Sequence, residues 1–416
     1  MGLEARQAAV RILDGVLRER RMLAHQPADT RLAPGDQARA GRLVSLVLRN
    51  LDALDACIAP YLDRKPPLPA LLILRLAAAE LLIAGEDAHG VVDSAVTMAK
   101  RNKGTVRMAG MINAVLRKVA VEGPDRFADL PPQILPGWIG GPVKKRWGKD
   151  VLRAIEAAHV PLAPIDVTPK PGVALDLPGA VRLPTGSLRL PPGTQISALP
   201  GYANGDFWVQ DAAAALPVRL LGDVAGKSVL DLCAAPGGKT MQLAAMGAQV
   251  TALDLSQSRM GRVEQNLART GLAADLIVGD AFDHQAGPYD AILLDAPCTA
   301  SGTIRRHPDL PHVKDWTEVE PLTRIQMRLI DHALGLLAPG GRLVFCTCSL
   351  LPVEGEHQIT AALKRHDGLR VVPVDATTLG GDASWHSAEG GLRLRPDFWQ
   401  EFGGMDGFYM AALSRP

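Results

Sequence analysis

Leu230-Asp231-Leu232-Cys233-Ala234-Ala235-Pro236-Gly237-Gly238-Lys239-Thr240 reads as the end of an aliphatic strand, a tight turn of small residues and the start of a helix. Glycines in such a turn let a ligand approach the backbone, and the amides at the helix start favour a carboxylate or phosphate. Gly238-Lys239-Thr240 is not a phosphate-binding P-loop, which needs glycine where Cys233 stands. The dinucleotide spacing G-x-G-x-x-G is absent too.

Outward from this unit, short aliphatic runs alternate with helical ones. Candidate strands are Ser228 to Leu232, Gln249 to Asp254, Leu276 to Gly279, Ala291 to Asp295, Arg342 to Thr347 and Leu369 to Val374. This alternation predicts an α/β fold, an open, mostly parallel sheet with helices on both faces, whose ligands bind beyond the carboxyl ends of the strands. Asp254 closes the second strand, 23 residues after Asp231, where an acid can accept ribose hydroxyls. Asp280 follows the third strand, near the expected place of an adenine. A lone acid there is more often a helix cap, but three in this order favour a nucleoside-bearing cofactor. The next loops are Asp295-Ala296-Pro297-Cys298 and Cys346-Thr347-Cys348-Ser349, and neighbouring strands would bring them together so that two thiols face the pocket. Cys57 and Cys346 read as small buried hydrophobes. No metal site is expected, since zinc wants two close pairs of ligands.

Upstream, residues 3 to 120 carry apolar side chains at helical spacing, such as Val10, Leu13, Val16 and Leu17, which predicts an all-α region. Residues 1–122 hold 18 Lys/Arg against 13 Asp/Glu, a surplus of +5, whereas the remaining 294 hold 27 against 31, or −4. Lys100, Arg101, Lys103, Arg107, Arg117 and Lys118 lie in a stretch with no acid, around an apolar helix from Met108 to Val119. They are candidate phosphate contacts, although such a cluster alone is more often a solvated face. Residues 123–200 hold 14 of the 32 prolines, with a helix near Val143 to Ala158. The expected division is 1–122 all-α, 123–205 a Pro-rich linker with a small subdomain, and 206–416 the α/β domain.

Near-equal charge, 45 Lys+Arg against 44 Asp+Glu, with 47% hydrophobic residues excludes a disordered tail and a chain basic throughout. The start Met1-Gly2-Leu3-Glu4-Ala5-Arg6 has no apolar signal core, so export is not expected. Leu68 to Ala84, the most apolar stretch, carries Arg75 and Glu80, which fits a buried helix with a polar edge better than a membrane span. Five scattered cysteines suit a reducing compartment, and the cytoplasm is the expected location.

Several strings resemble the Sun/Fmu-type RNA cytosine-C5 methyltransferases, and within them the bacterial small-subunit rRNA branch that carries an amino-terminal NusB-like domain. They are Leu230 to Thr240, Asp295 to Asp309, Thr347-Cys348-Ser349 and Asp406-Gly407-Phe408-Tyr409, with Gln210-Asp211-Ala212-Ala213 similar to the family's opening helix. Amino-terminal cues are Ile73 to Ala77, Val96 to Arg101 and Asn113 to Lys118. Two departures stand out: Thr299 where serine is common, and Ile165-Asp166-Val167-Thr168 in place of Arg-Val-Asn before the catalytic domain.

The resemblance implies S-adenosylmethionine as cofactor. Cys233, Ala234, Ala235, Pro236, Gly237, Gly238 and Lys239 would wrap its amino-acid portion, Asp254 the ribose and Asp280 the adenine edge, with Asp295 near the methyl donor. It implies RNA as partner, 16S rRNA of the small subunit, and assigns attack to Cys348 and release to Cys298. The chemistry asks for thiols independently: carbon 5 of cytosine becomes nucleophilic only after a thiolate adds to carbon 6. An acid such as Asp295 would support ring nitrogen 3 as charge builds there. From the residues alone either thiol could attack. Rival functions are the same reaction on tRNA, a non-catalytic RNA-binding assembly factor, and a small-molecule methyltransferase, which would leave the basic helices without a use.

Overall fold

The structure, a computed structural model, describes residues 2–27, 29–30 and 32–415. The chain forms two units: Met1–Gly140 with Leu152–Val160 and Arg306–Asp315, and Gly141–Val151 with Pro161–Arg305 and Trp316–Pro416.

Helices α1 (Leu3–Leu17), α2 (Pro34–Arg49), α3 (Leu51–Ile58), α4 (Leu68–Leu82), α5 (Ala88–Arg101) and α6 (Ala109–Ala128) build the first unit, with the ends of α7 (Gly137–Ala158). α4 is apolar on every side and therefore takes the middle of the bundle, with residues 70–80 buried without interruption. Its two charges are neutralised in place. Arg6 Nε donates to both oxygens of Glu80 at 2.9 and 2.8 Å, and Arg75 donates to Asp55 at 2.7 and 2.6 Å. Among the described residues no helix is long and apolar enough to cross a membrane. Residues 306–315 lie inside the range read as α/β domain, yet pack in this unit. Asp309 accepts the Leu23 amide at 2.6 Å, and Arg20 donates to the Val313 carbonyl at 3.0 and 2.9 Å.

The second unit holds two sheets. Strands β1 (Ile165–Pro169), β2 (Val181–Arg182), β3 (Leu188–Leu190) and β4 (Phe207–Val209) form a small sheet in the order β2-β3-β1-β4, around Val167, Leu188, Leu190 and Phe207. Asp166, in the string that departs from the family pattern, receives both Nε and Nη2 of Arg189, at 2.7 and 2.8 Å. The sequence announced only a helix here, and strands of two to five residues flanked by prolines leave no alternating pattern to read.

The large sheet follows α8 (Ala212–Arg219). It runs through β5 (Ser228–Leu232), α9 (Gly238–Ala245), β6 (Gln249–Asp254), α10 (Gln257–Thr270), β7 (Asp275–Val278) and β8 (Tyr289–Asp295). After α11 (Leu310–Val313, in the first unit) come α12 (Val319–Leu336), β9 (Leu337–Thr347), α13 (Glu356–Arg365), β10 (Arg370–Val371), β11 (Leu392–Leu394) and β12 (Phe408–Ser414). The order is β10-β12-β9-β8-β5-β6-β7, with β11 on β12. β9, β8, β5, β6 and β7 are parallel, as expected, whereas β10, β11 and β12 add an antiparallel flank. Both faces are covered, so alternate residues enter different cores: Val229, Leu293, Val344 and Met410 on one side, Leu230, Ile292, Leu343 and Phe345 on the other. The chain goes from β5 outward to β7 and returns on the far side at β8, so the sheet's switch point lies between β5 and β8.

Candidate active site

The loops after β5, β6, β8 and β9 meet at that switch point. Cys233 leaves β5 in the left-handed region (φ 62°), and Gly237 takes φ 97° as the residue that caps α9. A Cβ at Gly237 would stand 2.9 Å from a Val263 methyl, so both backbone and space demand glycine. Asp254, 3% exposed, accepts the amides of Ala235 at 3.1 Å and Ser256 at 3.0 Å, tying the β6 end to the turn. Asp280 is exposed and caps the short turn after β7 through the Phe282 amide at 3.0 Å.

Asp231 is fully buried inside β5. Thr240 Oγ1 donates to its Oδ2 at 2.6 Å, while Oδ1 has no hydrogen-bond partner among the described residues. Burial pushes its carboxyl up to about 7, against the pull of the Thr240 hydroxyl and the Lys239 charge. Lys239 is 8% exposed and donates to Asp295 Oδ2 at 2.8 Å, with its ammonium 5.2 Å from the Phe408 ring centroid. Burial disfavours that ammonium, but Asp295 and its other acidic neighbours outweigh it and hold Lys239 above its usual range. Asp295 is thereby ion-paired, and Cys346 Sγ lies 3.4 Å from its other oxygen.

The Cys298 and Cys348 sulfurs lie 3.5 Å apart, brought together because Asp295 of β8 pairs in register with Cys346 of β9. The hydrogen bond with Cys348, then burial, hold the Cys298 thiol well above its ordinary range. Cys346 is buried in the core and also pushed well up, by burial and then by Asp295, as expected of a small hydrophobe rather than a nucleophile. Cys57 is buried in the first unit. Behind the two loops, Glu354 accepts the Thr299 amide, the Thr299 hydroxyl and the Ser349 hydroxyl.

The basic residues read from sequence are all exposed. They do not form one compact group. Lys100 and Arg101 end α5, where cations complement the helix dipole, and Lys103 and Arg107 follow in the turn. Arg117 and Lys118 lie about 15 Å farther along α6 at 1.5 Å per residue, with the Lys118 ammonium 5.6 Å from the Tyr61 ring centroid.

A family model described as 16S rRNA methyltransferase RsmB/F matches residues 218–414, and one for the NusB family matches residues 3–121. The ribosomal RNA small subunit methyltransferase B of Xanthomonas campestris pv. campestris is 35% identical, the match covering 99% of this chain and 97% of that protein. The chain belongs to the RsmB/F methyltransferase family. The protein of the same name from Vibrio cholerae is 34% identical over 93% of this chain and 92% of its own. A methyltransferase homologue from Pyrococcus horikoshii, solved by crystallography, superimposes with a TM-score of 0.56 at 26% identity, covering 66% of this chain and 94% of its own.

As an RsmB/F-family methyltransferase the protein takes S-adenosylmethionine as cofactor, and its pocket fits that group. The unpartnered Asp231 oxygen is an acceptor for an ammonium, the Gly237 turn admits a ligand to the backbone, and Asp254 keeps lone pairs beyond its two amide bonds. Sequence reasoning about this RsmB/F chain counted Asp231 among three ordered acids but assigned it no contact, although an acid within an otherwise apolar buried strand was a legible signal. It passed over Lys144, Lys145, Arg146 and Lys149, an exposed basic run in α7, and Trp147, whose ring faces the guanidinium groups of Arg393 and Arg395 at 5.9 Å each. Nothing local in the sequence marks Glu354, whose partners are all distant or in the adjoining loop.

Proposed function

We propose that this RNA methyltransferase acts on carbon 5 of a cytosine in 16S rRNA, in the cytoplasm, through a covalent cysteine adduct at carbon 6. The observation that carries the reading is the 3.5 Å contact of the Cys298 and Cys348 sulfurs beside the Lys239–Asp295 pair. One thiol is enough for a covalent adduct, and a second in contact with it fits the base that the later elimination requires.

Cys348 attacks. The family resemblance assigns attack to this thiol and release to Cys298, and the two sulfurs, 3.5 Å apart, are close enough to meet one ring. The Cys348 sulfur bonds to carbon 6, and the electron pair of the 5,6 double bond moves toward ring nitrogen 3 and the carbonyl oxygen. Asp295, already committed to Lys239, acts here as a carboxylate that accepts from the cytosine amino group, and the Lys239 ammonium stabilises the charge on the ring. S-adenosylmethionine supplies an electrophilic methyl group, held by the 233–239 turn, Asp254 and Asp280, with Asp231 meeting its ammonium. In the enamine so formed carbon 5 would take the supplied methyl group, leaving S-adenosylhomocysteine. Cys298, its own proton passed to solvent, then takes the proton from carbon 5, the 5,6 double bond reforms, and Cys348 leaves as thiolate.

In this reading residues 206–416 carry the chemistry, 1–122 help hold RNA through Lys100, Arg101, Lys103, Arg107, Arg117 and Lys118, and 123–205 join them. The test is transfer of labelled methyl groups to purified small-subunit rRNA and to tRNA, with mapping of the modified base. Label on 5-methylcytosine in the small-subunit RNA alone is the expected result, and label on tRNA or on another base overturns it.

A further inference from the structure

We propose that Glu354 is a positioning residue that locks the Cys298 and Cys348 loops in one register, so that both thiols address the same ring. The inference rests on the two-thiol reading above and names the part of the fold that makes it possible.

Glu354 has no exposure to solvent. Its Oε1 accepts the Thr299 amide at 2.9 Å and Gln326 Nε2 at 3.2 Å, and its Oε2 accepts the hydroxyls of Thr299 at 2.5 Å and Ser349 at 2.6 Å. Every one of these donors is neutral. A buried carboxylate without a cation is costly, and a protein tolerates it only where its hydrogen bonds are fully made. The donors here show what those bonds hold: Thr299 follows Cys298, and Ser349 follows Cys348. The residue precedes α13, yet its side chain takes its donors from the two thiol loops and from α12 instead of serving as that helix's cap.

Other bonds run in the same direction. Ser301 Oγ lies 3.1 Å from Ser349 Oγ and accepts the Leu350 amide at 3.0 Å. The Gly302 amide donates to the Cys348 carbonyl at 3.0 Å, in a place where a Cβ would fall 1.9 Å from the Gly407 carbonyl oxygen. Thr347 Oγ1 donates to the Glu354 carbonyl at 2.9 Å. The two loops are thus joined through backbone and hydroxyl groups, with Glu354 as the acceptor common to both. The contact between the sulfurs cannot supply this order, because a thiol is a weak donor and a weak acceptor.

The test compares full-length wild type with Glu354→Ala, Glu354→Gln and Thr299→Val. Dibromobimane, which bridges two nearby thiols, is applied without RNA or cofactor, and the bridged peptides are identified by mass spectrometry. Methyl transfer gives kcat and KM, and calorimetry gives the affinity for S-adenosylhomocysteine. Glu354→Ala should lose most of the Cys298–Cys348 bridge and about 100-fold in kcat, the scale of an ångström of misplacement, with KM and cofactor affinity changed by no more than about threefold. Glu354→Gln should recover most of both, because its amide oxygen still accepts the Thr299 N–H and the two hydroxyls can turn to accept from its NH2. If Glu354→Ala binds cofactor normally and bridges and turns over within about threefold of wild type, the proposal is wrong. Should that variant not fold, Thr299→Val, which removes one hydroxyl donor, decides: loss of bridging and of kcat supports the proposal, and unchanged values overturn it. A bridge lost in Glu354→Ala, from a wild type that methylates no cytosine, would keep the positioning role and refute the reaction proposed above.

Discussion

Asp231→Asn separates the ionisation of one buried carboxyl from everything else in the pocket. Asp231 has one oxygen bonded to Thr240 and one with no partner among the described residues, and burial raises its folded pKa to about 7. The unfolded value is near 3.9. Between those values the native state holds a proton that the unfolded chain has lost, so this group's stabilising contribution is complete below about pH 4. It declines as pH rises through the window and is lost above about 7. Three units at 1.36 kcal/mol each make the cost at pH 8 about 4 kcal/mol at most. Asparagine matches the protonated acid in shape and keeps the acceptor for Thr240, so the variant should match wild type near pH 4 and exceed it increasingly toward pH 8. For a unit of this size that is a gap in Tm on the order of 10 °C, read by calorimetry across the pH series. The same proton governs the ligand. If ionised Asp231 meets the ammonium of the cofactor, affinity for S-adenosylhomocysteine should fall roughly 25-fold from pH 7.5 to 5.5 in wild type and stay flat in the variant. Parallel Tm curves would show that Asp231 is not held protonated, and a flat wild-type affinity would remove it from the cofactor site.

Cys348→Ala should abolish both turnover and covalent attachment to RNA, whereas Cys298→Ala should accumulate a slow protein–RNA band on a denaturing gel; the reverse pattern would exchange their roles. Asp254→Ala should weaken cofactor binding by about 1–3 kcal/mol by calorimetry, the scale of an acceptor removed from buried hydroxyls, and an unchanged dissociation constant would place the ribose elsewhere. Neutralising Lys100, Arg101 and Arg107 together should flatten the salt dependence of RNA affinity, the slope falling by about 0.7–0.9 for each phosphate no longer neutralised, and should leave cofactor binding alone. Parallel salt plots would return these residues to the role of a solvated helix end.

The strands Ser228–Leu232 and Gln249–Asp254 were legible to the residue, because aliphatic runs bounded by turn residues have no other use in a doubly covered sheet. The meeting of the Cys298 and Cys348 loops followed from the same logic, since β8 and β9 are parallel neighbours. β12 was not legible. Phe408 to Leu413 is buried on both faces, so it has no alternation, and Asp406-Gly407-Phe408-Tyr409 stands out as a motif before it can be read as a strand. Of the expected strand from Leu369 to Val374, Arg370–Val371 form the strand at the sheet's edge, and the Val372 amide adds a bond to the Ala412 carbonyl at 2.8 Å. Glu354 lies beyond local reading altogether, because what makes it special is which distant groups donate to it.

The five thiols of this chain sit in different surroundings, and in the reaction proposed above Cys348 attacks and Cys298 releases. Cys57 is raised by burial in the first unit, and Cys346 is raised by burial and then by the charge of Asp295. Cys233, although its turn lines the pocket, is pushed up to about 12 by burial and then by the surrounding aspartates. The acids around this turn therefore add to burial in holding the Cys233 thiol protonated. Cys298 is raised by its bond to Cys348, then by burial. The main cause of that rise is the Cys348 sulfur itself, the group that bonds to carbon in the proposed reaction. In the proposed reaction release needs both thiols at one ring, within this sulfur–sulfur approach of 3.5 Å, so a substitution that widens it should slow release more than attack and leave a covalent protein–RNA band like that of Cys298→Ala.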